Sequence, residues 1–342
     1  MNLREYIIRR LLLAIPTILG VTFIVFFISH VVPADPALVW AGGARARPEQ
    51  VEHIRELYHL NEPLWKQYLI FLNDLIHGDL GVSPVTGRPV ITDLKTYFPA
   101  TLELTIFAIT LAIIIGVPLG VLSAVKKDSA IDHFTRIFAL SGYSIPIFWL
   151  GLLLQLFFYY HLGLVPDPGG RINTQIYTSG EFKTYTNMYL LDSLIQGRFD
   201  VFCDALMHMI LPGFTLAYAT AAIIARMTRS SMLEVIRQDY IDFARARGLP
   251  ERIVIYKHAL RNAMIPTVTV VGLSFGGLLA GAVLTETVFY WPGIGRYMVG
   301  TINTLDFPAL MGGTILIAVV FVLVNLMVDI LYAIIDPRIR YG

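Results

Sequence analysis

The amino-acid sequence alternates long apolar runs with short polar stretches. The runs exceed about 18 residues without a charged side chain, the length that a helix needs to cross the hydrocarbon core of a bilayer. Only 15% of the 342 residues are charged and 56% are hydrophobic, whereas about 25% of residues are charged in soluble domains. These proportions exclude a soluble enzyme. Together with the apolar runs, they predict an all-α integral membrane protein with six transmembrane helices. The predicted spans are residues 11–32, 99–125, 137–162, 205–227, 263–290 and 309–334.

The first span follows Arg9 and Arg10, as the apolar core of a secretory signal peptide follows a positively charged segment. However, this apolar run is longer than the usual signal core, and no small-residue cleavage site stands out after it. We therefore expect an uncleaved anchor helix.

Lysine and arginine are unevenly distributed among the polar stretches. Sixteen of the 26 fall in segments 1–10, 126–136, 226–262 and 335–342, although the segments on the other side are about twice as long in total. Basic residues near the ends of spans stay on the cytoplasmic side. Both termini are therefore predicted to be cytoplasmic, which agrees with an even number of spans.

Three acidic residues, Glu103, Glu286 and Asp329, lie inside or at the edge of predicted spans. An acidic side chain at the bilayer centre costs about 2.5–3.5 kcal/mol. One interpretation is a proton or ion relay, as in an autonomous ion-coupled transporter. The other is that neighbouring helices or interfacial water satisfy the carboxylates. We favour the second, because such transporters often contain inverted repeats with broken helices, and no convincing repeat is found here.

Glycine pairs four residues apart recur in the spans. This spacing places small residues on one helical face, where two helices can approach closely. It predicts a packed bundle and is not evidence of dimerisation. The pairs are Gly116 with Gly120, Gly272 with Gly276, and Gly277 with Gly281.

The polar segment 226–262 is the most informative part of the chain. Residues 239–247 contain no glycine or proline and favour a helix. Gly248 then supplies a left-handed stop, and Pro250 suits the first turn of a second helix. Glu251 complements the positive end of that helix. The sequence predicts a helix, a sharp corner and a second helix.

Both helices of this segment carry apolar residues flanked by basic ones. Such a surface is suited to docking on another protein. Two other interpretations stay open, namely that the pair lies on anionic lipid or that its charges only set the orientation. A nucleic-acid role is not expected, because both ends are tethered in the membrane. The apolar positions are Tyr240, Phe243 and Ala244 in the first helix, and Ile253, Val254, Tyr256 and Leu260 in the second.

Patterns for catalysis or cofactor binding are missing from the sequence or misplaced in it. The phosphate-binding pattern G-x-x-x-x-G-K-[ST] does not occur, so the chain cannot hydrolyse ATP by that chemistry. The string G-L-S-F-G from Gly272 matches a nucleophile elbow, but it lies within an apolar span and not at a strand-to-helix turn. Cys203 is the single cysteine, which excludes an internal disulfide. We expect a non-catalytic subunit without a metal or cofactor of its own.

Residues 48–76, between the first two spans, carry helix signals. Pro48 opens one predicted helix, residues 61–63 open another, and Gly78 follows its end. One interpretation is a lid packed on the outer rim of the bundle. The other is a platform for an external solute-binding protein, and both can hold together. The apolar stripe of the second helix is Leu64, Tyr68, Phe71, Leu72 and Leu75.

Strings spread from end to end of the chain carry a resemblance to one family. They are RRLLLAIPTILGVT, HGDLG from His77, RMTRSSMLEV from Arg226, DYIDFARARGL from Asp239, HALRNAMIP from His258, LTETVF from Leu284, WPGIG from Trp291 and DPRIR from Asp336. On these strings the chain resembles the permease subunits of dipeptide/oligopeptide/nickel ATP-binding-cassette importers, and among them the B-type dipeptide permeases. The resemblance implies a type I importer permease fold with an extracytoplasmic helical loop insertion.

The resemblance also implies partners. A second, homologous permease would complete the pathway, and two cytoplasmic ATPase subunits would bind ATP and Mg²⁺. An external solute-binding protein would deliver the solute. Membrane lipid would surround the assembly. Gly248 matches the glycine and Ala244 the last alanine of the family's Glu-Ala-Ala signature, whereas Asp242 and Phe243 replace its Glu and first Ala. The implied ATPase-coupling residues are Asp239, Tyr240, Asp242, Phe243, Ala244, Arg245, Ala246, Arg247, Gly248, Leu249, Arg252 and His258.

Residues 1–98 are expected to form an anchor helix with an extracytoplasmic loop, and residues 99–342 a five-helix permease core with its coupling loop at 226–262. The expected function is translocation of di- or oligopeptides across the inner membrane of a prokaryote, powered by separate ATPases. The same machinery for nickel, glutathione or an oligosaccharide is the alternative within the family. The sequence leaves the solute open, since selectivity can rest in the binding protein.

Overall fold

The computed structural model describes residues 3–31, 35–178 and 182–335. No strand occurs in these ranges, and one isolated bridge joins Val82 to Pro89. The helices are α1 (Leu3–Val31), α2 (Pro36–Trp40), α3 (Pro48–Leu57), α4 (Leu64–Ile76), α5 (Val90–Val125), α6 (Ala130–Ser144), α7 (Ile147–Leu154), α8 (Thr174–Thr178), α9 (Tyr189–Ile195), α10 (Phe199–Val235), α11 (Asp239–Ala246), α12 (Glu251–Ile253), α13 (Leu260–Gly281), α14 (Val283–Val288), α15 (Ile294–Asn303) and α16 (Phe307–Ile335). The π-helical turns Gln155–His161 and Val254–Ala259 extend α7 and join α12 to α13.

Five helical stretches within the described residues are long and apolar enough to span a membrane. A sixth span is obtained when α6 and α7 are counted together, so the predicted number of spans and the all-α class are confirmed. The five stretches are Ile7–His30, Val90–Val125, Phe199–Val235, Glu251–Leu279 and Phe307–Val328.

The prediction of one continuous helix over residues 137–162 is wrong. α6 and α7 meet at an angle of 107°. Pro146 has no N–H to continue the helix, and its ring disfavours the helical conformation of the residue before it. Ile145 accordingly adopts φ −89° and ψ 120°, which is extended backbone. The third span is therefore broken where the sequence places its proline.

α5 and α10 pack against each other along most of their length. A Cβ atom on Gly120 would lie 2.7 Å from the carbonyl oxygen of Ala225, and one on Gly116 would lie 2.8 Å from that of Ala221. The surrounding core is also built from small residues, with Ala112 fully buried. The prediction of close packing at this glycine pair is confirmed.

α13 packs on α16 through a second glycine pair. A Cβ atom on Gly272 would lie 2.5 Å from a methyl group of Val328, and Gly276 lies at ordinary contact distance from Phe321. By contrast, a Cβ atom on Gly277 would meet nothing within 4 Å. The same spacing thus marks a helix contact at Gly272 and Gly276 but not at Gly277.

The segment between α1 and α5, which contains α2, α3 and α4, packs on the peripheral helix α1. The ring of Tyr68 on α4 lies 5.6 Å from that of Phe23 and 5.2 Å from that of Phe26. Its hydroxyl lies 3.1 Å from that of Thr22. This packing agrees with a lid on the rim of the bundle.

Replacement of Gly120 by valine should destabilise the chain by about 1–3 kcal/mol, because the new side chain meets the backbone of α10, which cannot rotate away. Thermal unfolding of the purified protein in detergent measures the loss. Gly277→Val is the matched control, since its side chain enters open space. Equal losses in both variants would contradict the assignment of this contact.

Candidate coupling site

The predicted helix and corner lie between α10 and the stretch Glu251–Leu279, and the predicted second helix forms the start of that stretch. α11 ends at Ala246, and Gly248 then adopts φ +74°, in the left-handed region that glycine populates without strain. The Gly248 N–H donates to the carbonyl oxygen of Arg245 over 2.8 Å. Pro250 comes directly before α12, so four residues, 247–250, separate the end of α11 from the start of α12.

One side of this corner is buried against the ends of three spans. Ile241 of α11 is fully buried, and Ala244, one turn later, is 6% exposed. Both residues belong to one apolar cluster with the ends of α5, α10 and α13, and α11 packs on the turn Val254–Ala259, so α11 is seated on the bundle. The apolar cluster comprises Val121, Ala124, Met232, Ile241, Ala244, Val254, Ile255, Ala259 and Ala263.

The other side of the corner exposes large apolar side chains. Phe243 is 64% exposed and Tyr256 is 53% exposed, and Tyr240 and Ile253 are also exposed. The sequence interpretation placed Ala244 and Val254 on this same apolar surface, which is wrong: both face the bundle. A one-residue difference along a helix turns a side chain by about 100°, so the pattern of apolar residues alone did not separate the two faces.

An ion-pair bridge holds α11 and α12 together across the corner. The Arg245 guanidinium contacts the Glu251 carboxylate at 2.9 Å and the Asp242 carboxylate at 3.2 Å. The Glu251 carboxylate raises the pKa of Arg245 above its ordinary value. These groups are exposed, so the bridge contributes about 0–1 kcal/mol and mainly orients the two helices. Tyr240 adds a hydrogen bond to its hydroxyl from the Asn262 amide, at 2.8 Å.

The remaining predicted coupling residues surround this core of the corner. The Arg247 guanidinium lies 5.9 Å from the centre of the Phe243 ring, within the range of a cation–π contact. Leu249 packs at the margin of the buried cluster, and His258 is half-buried. The exposed members are Asp239, Ala246 and Arg252.

A buried carboxylate near the corner was missed by the sequence reasoning. Asp132, at the start of α6, is fully buried. It accepts hydrogen bonds from the Arg229 guanidinium of α10 at 2.6 Å and from the Ser123 hydroxyl of α5 at 2.6 Å, and it pairs with Arg136. Arg136, four residues on, is the only local sequence signal for this site. Nothing in the sequence indicates the contact with Arg229, 97 residues away.

The acids that the sequence placed in spans have protein partners. Glu103 pairs with Arg171, and both side chains are buried. Glu286 accepts a hydrogen bond from the Thr101 hydroxyl and another from the Arg296 backbone N–H at 2.9 Å. For these two residues the interpretation of satisfied carboxylates is supported. The side chain of Asp329 lies outside the described residues, as does the string from Asp336.

These partners fix the chain at the end of the bundle opposite the corner. The indole of Trp291 donates to the carbonyl oxygen of Ala100 over 3.0 Å, and the N–H of Ile294 donates to the Thr101 hydroxyl over 2.8 Å. The strings LTETVF and WPGIG are therefore parts of one structure, in which Glu286 accepts the N–H of Arg296 in the first turn of α15 and Trp291 fixes the turn on α5.

The fold defines a multi-pass helical membrane protein with an exposed apolar surface between α10 and α13. Residues 116–341 match the family of binding-protein-dependent transport system inner membrane components, and residues 3–105 match the N-terminal component of the same systems. The chain belongs to this family and is a multi-pass protein of the inner membrane.

Several relatives match over nearly their whole length. A dipeptide transport system permease protein of Alkalihalophilus pseudofirmus is 48% identical over 98% of this chain and 99% of its own. A probable D,D-dipeptide transport system permease protein of Escherichia coli is 50% identical over 94% of each chain. A glutathione transport system permease protein of Pectobacterium atrosepticum is 39% identical over 98% of this chain and 99% of its own.

Asp132→Ala should destabilise the chain by about 3–5 kcal/mol, because it leaves the Arg229 guanidinium without its buried partner. Thermal unfolding in detergent measures the effect. Asp128→Asn is the matched control, since that exposed carboxylate also pairs with Arg136 and asparagine tolerates its left-handed backbone; its loss should stay below about 1 kcal/mol. The double variant Asp132→Ala/Arg229→Met should recover part of the stability. No difference between the two single variants would contradict the role of Asp132.

Proposed function

We propose that this chain is the permease subunit of an ATP-binding-cassette importer for di- or oligopeptides, and that the loop 226–262 is its ATPase-coupling loop. The two-sided corner is the observation that carries this proposal. Its exposed side offers Tyr240, Phe243 and Tyr256 for docking, and its buried side rests on three spans. A surface with these two sides can receive a movement from a partner and pass it into the membrane.

The proposed mechanism follows from this seating. The ATPase partners change arrangement when they bind and release ATP and Mg²⁺, and the docked α11 moves with them. Because α11 packs on the turn Val254–Ala259 and shares one apolar cluster with the ends of α5, α10 and α13, its displacement biases these spans between an inward-open and an outward-open arrangement. The link between Arg245 and Glu251 makes α11 and α12 move together. This chain supplies no ATPase chemistry in the mechanism.

The proposed assembly contains a second, homologous permease, two cytoplasmic ATPase subunits and an external solute-binding protein, all at a lipid bilayer. The corner and both termini face the cytoplasm, as the distribution of Lys and Arg favours. The α2–α4 segment then faces outward and is the proposed platform for the binding protein. The family description, which names binding-protein-dependent transport, supports that partner.

The peptide substrate is supported by the relatives. Those named for dipeptides are up to 50% identical to this chain, whereas the one named for glutathione is 39% identical. Vesicles that contain the complete complex should take up a labelled dipeptide only with ATP inside and with both ATPase subunits present. Unlabelled glutathione and Ni²⁺ are the competitors that test the alternative solutes. Uptake that persists without the ATPases and follows a proton or sodium gradient would overturn the proposal in favour of an ion-coupled transporter.

Gly248→Val should leave the chain folded but weaken its association with the ATPase about tenfold. The new Cβ would meet no atom within 4 Å, so the effect comes from backbone strain at φ +74°, about 1–2 kcal/mol, which reshapes the corner. Co-purification and stimulation of ATPase activity are the measurements. Gly248→Asn is the control, since asparagine tolerates the left-handed region. Normal transport by the valine variant would count against the corner as the coupling element.

A further inference from the structure

A cavity of about 200 Å³ lies between α1 and α16, alongside the first half of α1. None of its described wall residues belongs to the loop 226–262, and the proposed mechanism does not use it. Its walls combine polar and apolar side chains from both helices. The wall residues that decide its chemistry are Arg10, Leu13 and Thr17 of α1, and Phe321, Asn325 and Leu326 of α16.

The two helices are in direct contact beyond this cavity. Ser29 of α1 is 1% exposed, and its hydroxyl lies 3.0 Å from the sulfur atom of Met311 on α16. By contrast, every residue from 8 to 13 of α1 is exposed. The helices are therefore packed together at one end, and at the other end a groove stays open between them.

The groove lies within membrane-spanning helix, at the periphery of the bundle. The candidate spans Ile7–His30 and Phe307–Val328 contain all of its described wall residues. α1 packs on α16, which packs in turn on α13, and only 11% of the apolar window of α1 is buried. A groove in this position opens toward the lipid of the bilayer.

Two polar side chains are accessible from the groove. Arg10 is exposed and is the single charged residue among the described wall residues. Asn325 is partly exposed, and its amide has no hydrogen-bond partner among the residues that the structure describes. An amide in hydrocarbon is costly unless it is hydrogen-bonded. The groove therefore favours a ligand that brings polar atoms to this depth.

The polar and apolar groups follow a fixed order along the groove. Arg10 lies two helical turns, about 10 Å, before Thr17, at the end of the groove nearer the membrane surface. α16 runs in the opposite direction, so Asn325 lies nearer that surface than Phe321. Thr17 donates its hydroxyl hydrogen to the carbonyl oxygen of Leu13 over 3.0 Å and adds no further donor. The groove thus passes from a cation through an amide to an apolar wall.

A phospholipid presents complementary groups in the same order. A guanidinium binds a phosphate through two parallel N–H groups. The amino group of an asparagine side chain donates to an ester carbonyl oxygen, such as those of the glycerol part. The acyl chains follow, and they suit the apolar wall.

We propose that the groove between α1 and α16 binds an anionic phospholipid. Its phosphate pairs with the Arg10 guanidinium, its ester oxygens accept from the Asn325 amide, and one acyl chain lies along Leu13 and Phe321. With the start of α1 on the cytoplasmic side, as the distribution of Lys and Arg favours, this lipid belongs to the cytoplasmic leaflet. Because lipid binding is measured without a peptide, its failure and a failure of the proposed transport can be told apart.

Native mass spectrometry of the purified full chain in detergent tests the site. One molecule of phosphatidylglycerol should bind saturably, about tenfold more tightly than phosphatidylcholine with the same acyl chains, which has a phosphate but no net charge. Equal affinity for the two lipids would overturn the proposal, since apolar contact alone would then account for binding.

Two neighbouring arginines give a matched pair of variants. Arg10→Gln should weaken the binding of phosphatidylglycerol about tenfold. Arg9→Gln removes the same charge from an exposed residue outside the cavity wall and should change the affinity less than about twofold. Equal losses would indicate diffuse attraction to the basic start of α1, which contradicts a defined site.

Asn325→Leu is a further variant, because it keeps the charge of the groove and suits a membrane-spanning helix. It should weaken the binding of phosphatidylglycerol about threefold without lowering the unfolding temperature, and unchanged affinity would count against the proposal. The complete transporter complex should retain the same lipid in the wild type and lose it in Arg10→Gln. A complex that excludes the lipid, as expected if a second permease covers the groove, would overturn the proposal.

Discussion

α5 and α10 approach each other so closely that Gly116 and Gly120 leave no room for side chains between them. Apolar surface gains nothing when it leaves lipid for a helix interface, so contact at van der Waals distance must supply the attraction. The other principal elements pack on this pair: α6 and α13 along its sides, α9 near the start of α10, and α11 across its far end. This contact therefore sets the positions of both the corner at Gly248 and the turn at Trp291.

Buried charges hold the polar segments to the two ends of this pair. At the corner end, Asp132 accepts from donors on α5, α6 and α10, and at the other end Glu103 pairs with Arg171 from the loop before α8. A buried ion pair adds little net stability, but each member becomes costly once its partner is gone. Such groups therefore select one arrangement of loops over others. Glu103 and Glu286, for which an ion relay was one interpretation of the sequence, have this positioning role instead.

The corner differs from the exposed apolar surfaces of α1 and α16. Exposed leucine and phenylalanine on α1 and α16 lie within spans, where lipid or another helix covers them. Tyr240 and Phe243 lie on α11, outside the candidate spans. This apolar surface, at the end of the bundle where α11 joins the apolar cluster of the spans, is the one that we propose for docking of the ATPase.

The sequence determined the features that depend on neighbouring residues. The length of the apolar runs predicted the spans. Gly248, which adopts a left-handed φ, predicted the corner, and the helix signals around Pro48 and Leu64 predicted α3 and α4. The break at Pro146 could also have been predicted from the sequence, since proline constrains the backbone of the residue before it. Only the tertiary structure decided that Ala244 faces inward while Phe243 faces outward, that Arg229 meets Asp132, and that Arg10 and Asn325 line one groove. These features depend on how helices distant in the chain are placed against each other, and local propensity carries no record of that placement.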